Sequence, residues 1–272
     1  MKKKIYTKKD IYESLERIGV PRDSIVLMHT SMRSVGNVEG GASGLLDVMI
    51  DYFTTRGGLF CVPTHTWHNL DNPDAAVTLD VCSPDTCLGA FSNVAAIDRR
   101  GVRTENPTHS MAIFGDRERS QELSTLEEGV DTPIAPEGCY GSLYRMGGKI
   151  LLVGVGQTKN TFIHTAEEMV GMPNRMENAL SEYTVRKASG ELVRRKMRFF
   201  YTDYTPDISY RFHKYEMAFR YHGAIMDGFI GDAPAQLCDA RKIESTIRLI
   251  YERSGGIDPL ASEEMISPKF YT

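Results

Sequence analysis

Net charge is the first thing this chain has little of. Its 32 Lys and Arg against 36 Asp and Glu leave a formal charge of −4, which speaks against general affinity for nucleic acid or an anionic membrane. Long apolar runs are missing too, since no window reaches the roughly 18 apolar residues of a membrane span. The basic start "MKKKIYTKKDIYESLERIGV" lacks the apolar core that follows the lysines of a secretory signal. Cysteine is sparse: Cys61, Cys82, Cys87, Cys139 and Cys238 are an odd set without a disulfide-scaffold rhythm, so the expected compartment is a reducing cytoplasm. Internal repeats, low-complexity tracts and linker-like segments are absent as well. The 272 residues are therefore taken as one domain spanning 1–272.

What is present alternates between two periodicities. Thr7 can cap an amphipathic helix carrying Ile11, Leu15 and Ile18, ended by Gly19 and Pro21. "SIVLMH" (24–29), "GLFCVP" (58–63), "SMAIFG" (110–115) and "KILLVGVG" (149–156) have the length and apolarity of buried strands. Between them lie helices with Leu45, Leu46, Met49, Tyr52 and Phe53 on one face, and another near 87–98. "SEYTVRKASGELVRRKMRFF" (181–200) alternates around Ser189-Gly190 as a β-hairpin does. A helix near 208–221, strands around 224–237 and a last helix near 239–253 complete the pattern. Strand–helix alternation with a hairpin predicts an α/β fold, a three-layer mixed β-sheet flanked by helices.

Two stretches carry chemistry. "HTSMRSVGNVEGG" (29–41) joins a strand to a helix, a place where backbone N–H groups, the hydroxyls of Thr30, Ser31 and Ser34, and Arg33 can hold an anion. It lacks the Gly-Lys-Ser/Thr of a Walker loop and the Rossmann glycine spacing. "RSVGNV" also misses the coenzyme A loop of the GNAT acetyltransferases, because Val38 stands where that loop needs a small residue. In "NTFIHTAEEM" (160–169), a helix would put His164, Glu167 and Glu168 on one face and Phe162, Ile163, Ala166, Met169 and Val170 on the other. That arrangement suits a proton-transfer pair or an ordinary solvated face. "HTWH" (65–68) with Cys82 and Cys87 can be drawn as a zinc site, but the order of ligands is not a common one. No cysteine lies in a recognisable nucleophile motif, which disfavours an acyl-enzyme route. No aromatic stacking motif accompanies the basic hairpin, so no nucleic-acid partner is expected.

Five segments in order, "LMHTSMRSVGNVEGGASGLLD", "GGLFCVPTHTW", "LGAFSNVAAIDRRGVRTENPTHSMAIFG", "GKILLVGVGQTKNTFIHTAEEM" and "GFIGDAPAQLCDARKI", resemble the antibiotic acetyltransferase family. Its best-known members are aminoglycoside 3-N-acetyltransferases. The resemblance implies an α/β fold distinct from GNAT and a cytoplasmic enzyme, monomeric or homodimeric, that uses acetyl-CoA and no metal. The acetyl group would pass to the 3-amino group of an aminoglycoside. A different amine acceptor, or a non-catalytic coenzyme- or nucleotide-binding protein, are the competing readings.

The same resemblance implies site residues. His164 would be the general base, Glu167 its orienting partner and His109 an auxiliary. His29, Thr30, Ser31, Met32, Arg33, Ser34, Val35 and Gly36 would bind the coenzyme together with Ser110 and Met111. Apart from the resemblance, a polycationic acceptor would favour carboxylates such as Glu168 and Asp80 in the cleft, with His65 also facing it, and the developing oxyanion would need donors such as backbone N–H groups or the Ser110 or Thr30 hydroxyl. Two positions depart from the family pattern: Asn106 stands where histidine is frequent, and His65 where many relatives have an aromatic residue.

Overall fold

The architecture is that of a computed structural model, which describes residues 4–72 and 74–272. Strand β1 (Ile5–Tyr6) leads into α1 (Lys8–Ile18), β2 (Ile25–Thr30), the single turn α2 (Met32–Val35), β3 (Asn37–Val38), α3 (Gly41–Thr54) and β4 (Leu59–Pro63). After an irregular stretch come β5 (Leu79–Asp80), α4 (Ala90–Ile97), β6 (Val102–Arg103), β7 (Met111–Phe114), α5 (Arg117–Thr125) and α6 (Cys139–Arg145). Strand β8 (Lys149–Val153) feeds α7 (Phe162–Val170), then the hairpin of β9 (Ser181–Arg186) and β10 (Leu192–Met197). A 3-10 helix (Ile208–Tyr215) runs directly into α8 (Glu216–Tyr221), followed by β11 (Ile225–Ile230), β12 (Ala233–Asp239) and α9 (Ala240–Arg253).

A seven-stranded mixed sheet forms the middle layer, in the order β11-β12-β8-β2-β4-β7-β6. Its centre is parallel, β2 lying between β8 and β4, while the flanking pairs are antiparallel. Side chains alternate across it as a strand's period of two requires. Ile25 and Leu27 of β2 join one core with α6, α7, α8 and α9, and Val26 and Met28 join the other with α1, α3 and α4. Strands β4, β7 and β8 split in the same way. That double burial explains why these strands are continuously apolar in sequence. The expected three layers are thus present.

Local signals account for the ends of several elements. Thr7 caps α1 in a capping box with Asp10, and Gly19 closes it in the left-handed region at φ 76°. The strand expected over 149–156 stops at Val153, because Gly154 adopts φ 65° and lets Ser34 press against its backbone. A Cβ there would sit 2.3 Å from Ser34 Cβ. The region expected as one helix near 208–221 is two, a 3-10 helix and an α-helix end to end. Strands β9 and β10 pair as the alternation predicted, and β5 adds to β9 in parallel, making a separate three-stranded sheet.

Removing bulk at the parallel centre should be felt by the layer of α6, α7, α8 and α9 that Leu27 packs against. Leu27→Ala is expected to lower stability by about 2–5 kcal/mol, read as a lower denaturant midpoint with an unchanged slope.

Candidate active site

The C-terminal ends of β2, β4 and β8 point to one end of the sheet, where ligands of open α/β sheets gather. A cleft of about 710 Å³ opens there. His29, Thr30 and Ser31 reach it from the end of β2, Pro63 and His65 from β4, and Asn160, Thr161 and His164 from the entrance to α7. His109 arrives on the turn before β7. The segment 199–209 supplies the wall, with Phe199, Phe200, Tyr201, Asp207 and Ile208 among the lining residues, and Phe212 follows. The chain thus brings four histidines into one cavity.

Their rings are packed. His65 and His109 lie 4.3 Å apart between centroids, and His65 Nε2 is 2.7 Å from the Tyr140 hydroxyl. Phe200 touches two histidines, with centroids 4.3 Å from His164 and 5.0 Å from His109, while Phe212 meets His164 edge-on at 4.6 Å. Burial disfavours the imidazolium. It pushes His29, His109 and His164 down to about 3, helped by Lys159 beside His29, by His164 beside His109 and by Arg175 beside His164. His65 is also held well below its ordinary value, first by burial and then by the other three rings. The cleft floor is therefore a set of neutral imidazoles, and the buried His164 Nδ1 and His29 Nε2 have no hydrogen-bond partner among the described residues.

The expected His164–Glu167 pair is not formed. Glu167 is fully buried, with Oε2 2.6 Å from Arg175 Nε and Oε1 3.0 Å from Arg175 Nη2. The Tyr215 hydroxyl donates to Oε1 at 2.8 Å. Arg175 also donates to both Asp258 oxygens, at 2.7 and 2.9 Å. With its oxygens so occupied, Glu167 fixes α7 to the rest of the fold instead of orienting the imidazole. Glu168 does not pair with His164 either: Thr132 donates to its oxygens, and burial raises its carboxyl to about 6.

The family model for aminoglycoside 3-N-acetyltransferase matches residues 27–250, most of the chain and all of the strand ends that build the cleft floor. The chain belongs to the aminoglycoside 3-N-acetyltransferase family. It is 26% identical over 168 residues to aminoglycoside N(3)-acetyltransferase IV of Salmonella sp, covering 62% of this chain and 61% of that one, less than two thirds of the relative's length. It is 24% identical over 259 residues to aminoglycoside N(3)-acetyltransferase VII of Streptomyces paromomycinus, covering 87% and 88%. Among solved structures it is similar to aminoglycoside acetyltransferase AAC(3)-IVa, a variant in complex with a gentamicin (TM-score 0.74, 22% identity, 98% and 97% covered). It is similar as well to AAC-IIIb, binary with CoASH (TM-score 0.74, 17% identity, 92% and 98% covered). At these identities the structural likeness speaks for the fold, which is the family's own.

Within this aminoglycoside 3-N-acetyltransferase fold, the remaining expected residues divide. Of the coenzyme loop, only His29, Thr30 and Ser31 line the cleft. Ser34 hydrogen-bonds Ser31, Val35 is buried in the core, and Met32, Arg33 and Gly36 lie outside the lining. Ser110 is fully buried and donates to the Thr64 carbonyl at 2.8 Å, so its hydroxyl is taken, and Met111 packs in the core. Asp80 pairs with Arg186 at 3.0 Å outside the lining. His65 and His109 do line it. Asn106, the family departure, donates to Glu127 at 2.7 Å and accepts from the backbone N–H of His109 at 2.9 Å, so it shapes the turn that presents His109.

Sequence reasoning missed Phe199, Phe200, Trp67, Lys159, Asn160 and Asp207 as lining residues. All six sit on connections that follow strands, where binding residues concentrate, and that position is the one signal that points to them. Among the described residues, no group of three or more His, Cys, Asp or Glu is arranged to hold a metal ion. No described helix is long and apolar enough to cross a membrane.

Two measurements check this account. Glu167→Gln leaves part of the Arg175 charge uncompensated and is expected to cost about 3–5 kcal/mol of stability in urea denaturation. The buried neutral histidines set a pH dependence. Their folded values near 3 lie below the ordinary 6.5, so between those values the unfolded chain binds more protons. Stability is complete above pH 6.5 and falls as pH drops toward 3, which urea midpoints from pH 7 to 4.5 will read.

Proposed function

We propose that the protein is an acetyl-CoA-dependent N-acetyltransferase with His164 as general base, the acceptor being the 3-amino group of an aminoglycoside. One observation carries the assignment of the base: His164 lines the cleft as a neutral imidazole, and its buried Nδ1 has no hydrogen-bond partner among the described residues. The named relatives are aminoglycoside N(3)-acetyltransferases, and one similar structure holds CoASH and another a gentamicin, which supports the donor and the acceptor class.

The reaction follows from the groups present. The acceptor enters as the neutral amine, its nitrogen attacks the thioester carbonyl carbon, and a tetrahedral adduct forms with a positive nitrogen and an oxyanion. His164 takes the proton from that nitrogen. The C–S bond then breaks and the thiolate of coenzyme A leaves, drawing a proton from the imidazolium. Of the two hydroxyls named for the oxyanion, Ser110 is engaged with Thr64, which leaves Thr30, whose buried Oγ1 has no partner among the described residues. Glu167 acts at one remove, by holding α7 in place.

A second reading keeps fold, donor and base but changes the amine. Among the described lining residues Asp207 is the one carboxylate, beside several aromatic rings and Lys159. A polycation would find few counter-charges in such a cleft, which favours testing smaller and more apolar amines alongside aminoglycosides.

Thiol release from acetyl-CoA is the direct test, with gentamicin, apramycin and simple aromatic and aliphatic amines as acceptors. His164→Ala is expected to lower kcat by roughly 10²–10⁴-fold while coenzyme A still binds within about twofold by calorimetry. Undiminished turnover in that variant would sink the base assignment. The free-enzyme profile of kcat/KM should rise with pH toward the amine's own pKa and show no break near 6.5, since the ring is already neutral there.

A further inference from the structure

We propose that Asn160 holds the acceptor amine, its side-chain oxygen accepting a hydrogen bond from an N–H of the nitrogen that His164 deprotonates; this rests on the acetyltransferase reading above. A chain of side-chain amides runs into the cleft from α8. Arg220 on α8 donates to Glu216 Oε1 at 2.7 and 3.0 Å. A carboxylate held this way can only accept, so the Gln236 amide must turn its NH₂ toward it, and Nε2 donates to Glu216 Oε1 at 3.0 Å. Gln236 Oε1 then faces Gln157, whose Nε2 donates to it at 2.8 Å. Gln157 Oε1 in turn accepts from Asn160 Nδ2 at 2.9 Å.

The direction of the chain is fixed from its carboxylate end. Reversing any one amide would set oxygen against oxygen or NH₂ against NH₂. The last amide therefore has no choice about which atom it leaves over. Asn160 Oδ1 remains, buried and without a partner among the described residues, on a residue that is 1% exposed and lines the cleft. A buried acceptor left unpaired is costly, and a chain of three amides is spent on keeping it an acceptor.

Its place matches the chemistry. Asn160 lies one helical turn before His164, and its backbone carbonyl accepts from the Ile163 N–H at 3.1 Å at the start of α7. The two side chains thus enter one cleft from one rigid turn. A neutral amine must aim its lone pair at the thioester carbon, so its N–H bonds have to be directed elsewhere. His164 receives one of these protons. A second, acceptor-only group that holds another N–H fixes rotation about the C–N bond and so orients the lone pair. Asn160 Oδ1 is such a group, and it recognises the amine class without requiring any further charge on the substrate.

Steady-state kinetics with gentamicin and the amine panel, paired with calorimetry of coenzyme A alone, tests the assignment. Asn160→Ala is expected to lower kcat/KM for the amine roughly ten- to hundredfold, with the coenzyme A Kd within about twofold of wild type. Gln236→Met lies outside the cleft and frees the two inner amides to turn; it should cost roughly three- to tenfold in the same parameter and carries the test if Asn160→Ala does not fold. An unchanged kcat/KM in Asn160→Ala overturns the assignment, as does a loss matched in the coenzyme A Kd, which would give the oxygen to a pantetheine amide instead. Turnover of no amine by wild type removes the acetyltransferase reading and this one with it, whereas turnover that ignores Asn160 removes this one alone.

Discussion

A guanidinium buried between two carboxylates holds the active end of this molecule together. Arg175 reaches back to Glu167 on α7 and forward to Asp258 beyond α9, while Tyr215 closes the set from the 3-10 helix. Around it Arg211 and Lys214 donate to backbone carbonyls of residues 259–262. Three segments distant in sequence are thereby clamped to the helix that carries His164. Charges buried this deeply stabilise a fold only when fully paired, and here both carboxylates and all three guanidinium nitrogens have partners. The geometry of the cleft floor is inherited from that pairing.

Above the clamp the cleft is unusual in what it does not ionise. Four imidazoles share it, and burial, with the cations and rings beside them, keeps each neutral. Phe200 and Phe212 enforce the arrangement by covering His164 from two sides. A base of this kind is available at every physiological pH but weak in the free protein. That suits removal of a proton from a positive nitrogen in an adduct better than abstraction from a free ammonium.

Much of the scaffold was legible in the amino-acid order. The continuous apolar strands, the capped first helix and the hairpin around Ser189-Gly190 all rest on short-range rules, and the structure follows them. The polar helix α5 was not legible, since it has almost no apolar stripe and depends on the Asp116 cap. The site was harder. Spacing placed His164 and Glu167 together, but successive residues advance by about 100° around a helix. Glu167 therefore sits about 60° from His164 on the side of Ile163, whose side chain belongs to the core. Spacing could not choose between those two neighbours; Arg175 and Asp258 did, and nothing local links positions 167, 175 and 258. Met32, Arg33 and Asp80 were named from loop composition and charge, which say nothing about the direction a side chain takes.

The clamp also orders events during synthesis. As β8 leaves the ribosome it can align with β2, yet its other edge stays open until β12 emerges, and Glu167 has no complete set of counter-charges until Asp258 has followed. A nascent chain halted before β12 would present an unpaired strand edge, and one halted before Asp258 a half-matched buried charge. The contacts that complete the catalytic end are therefore among those that wait for the C-terminal part of the chain, and an unfinished chain lacks them.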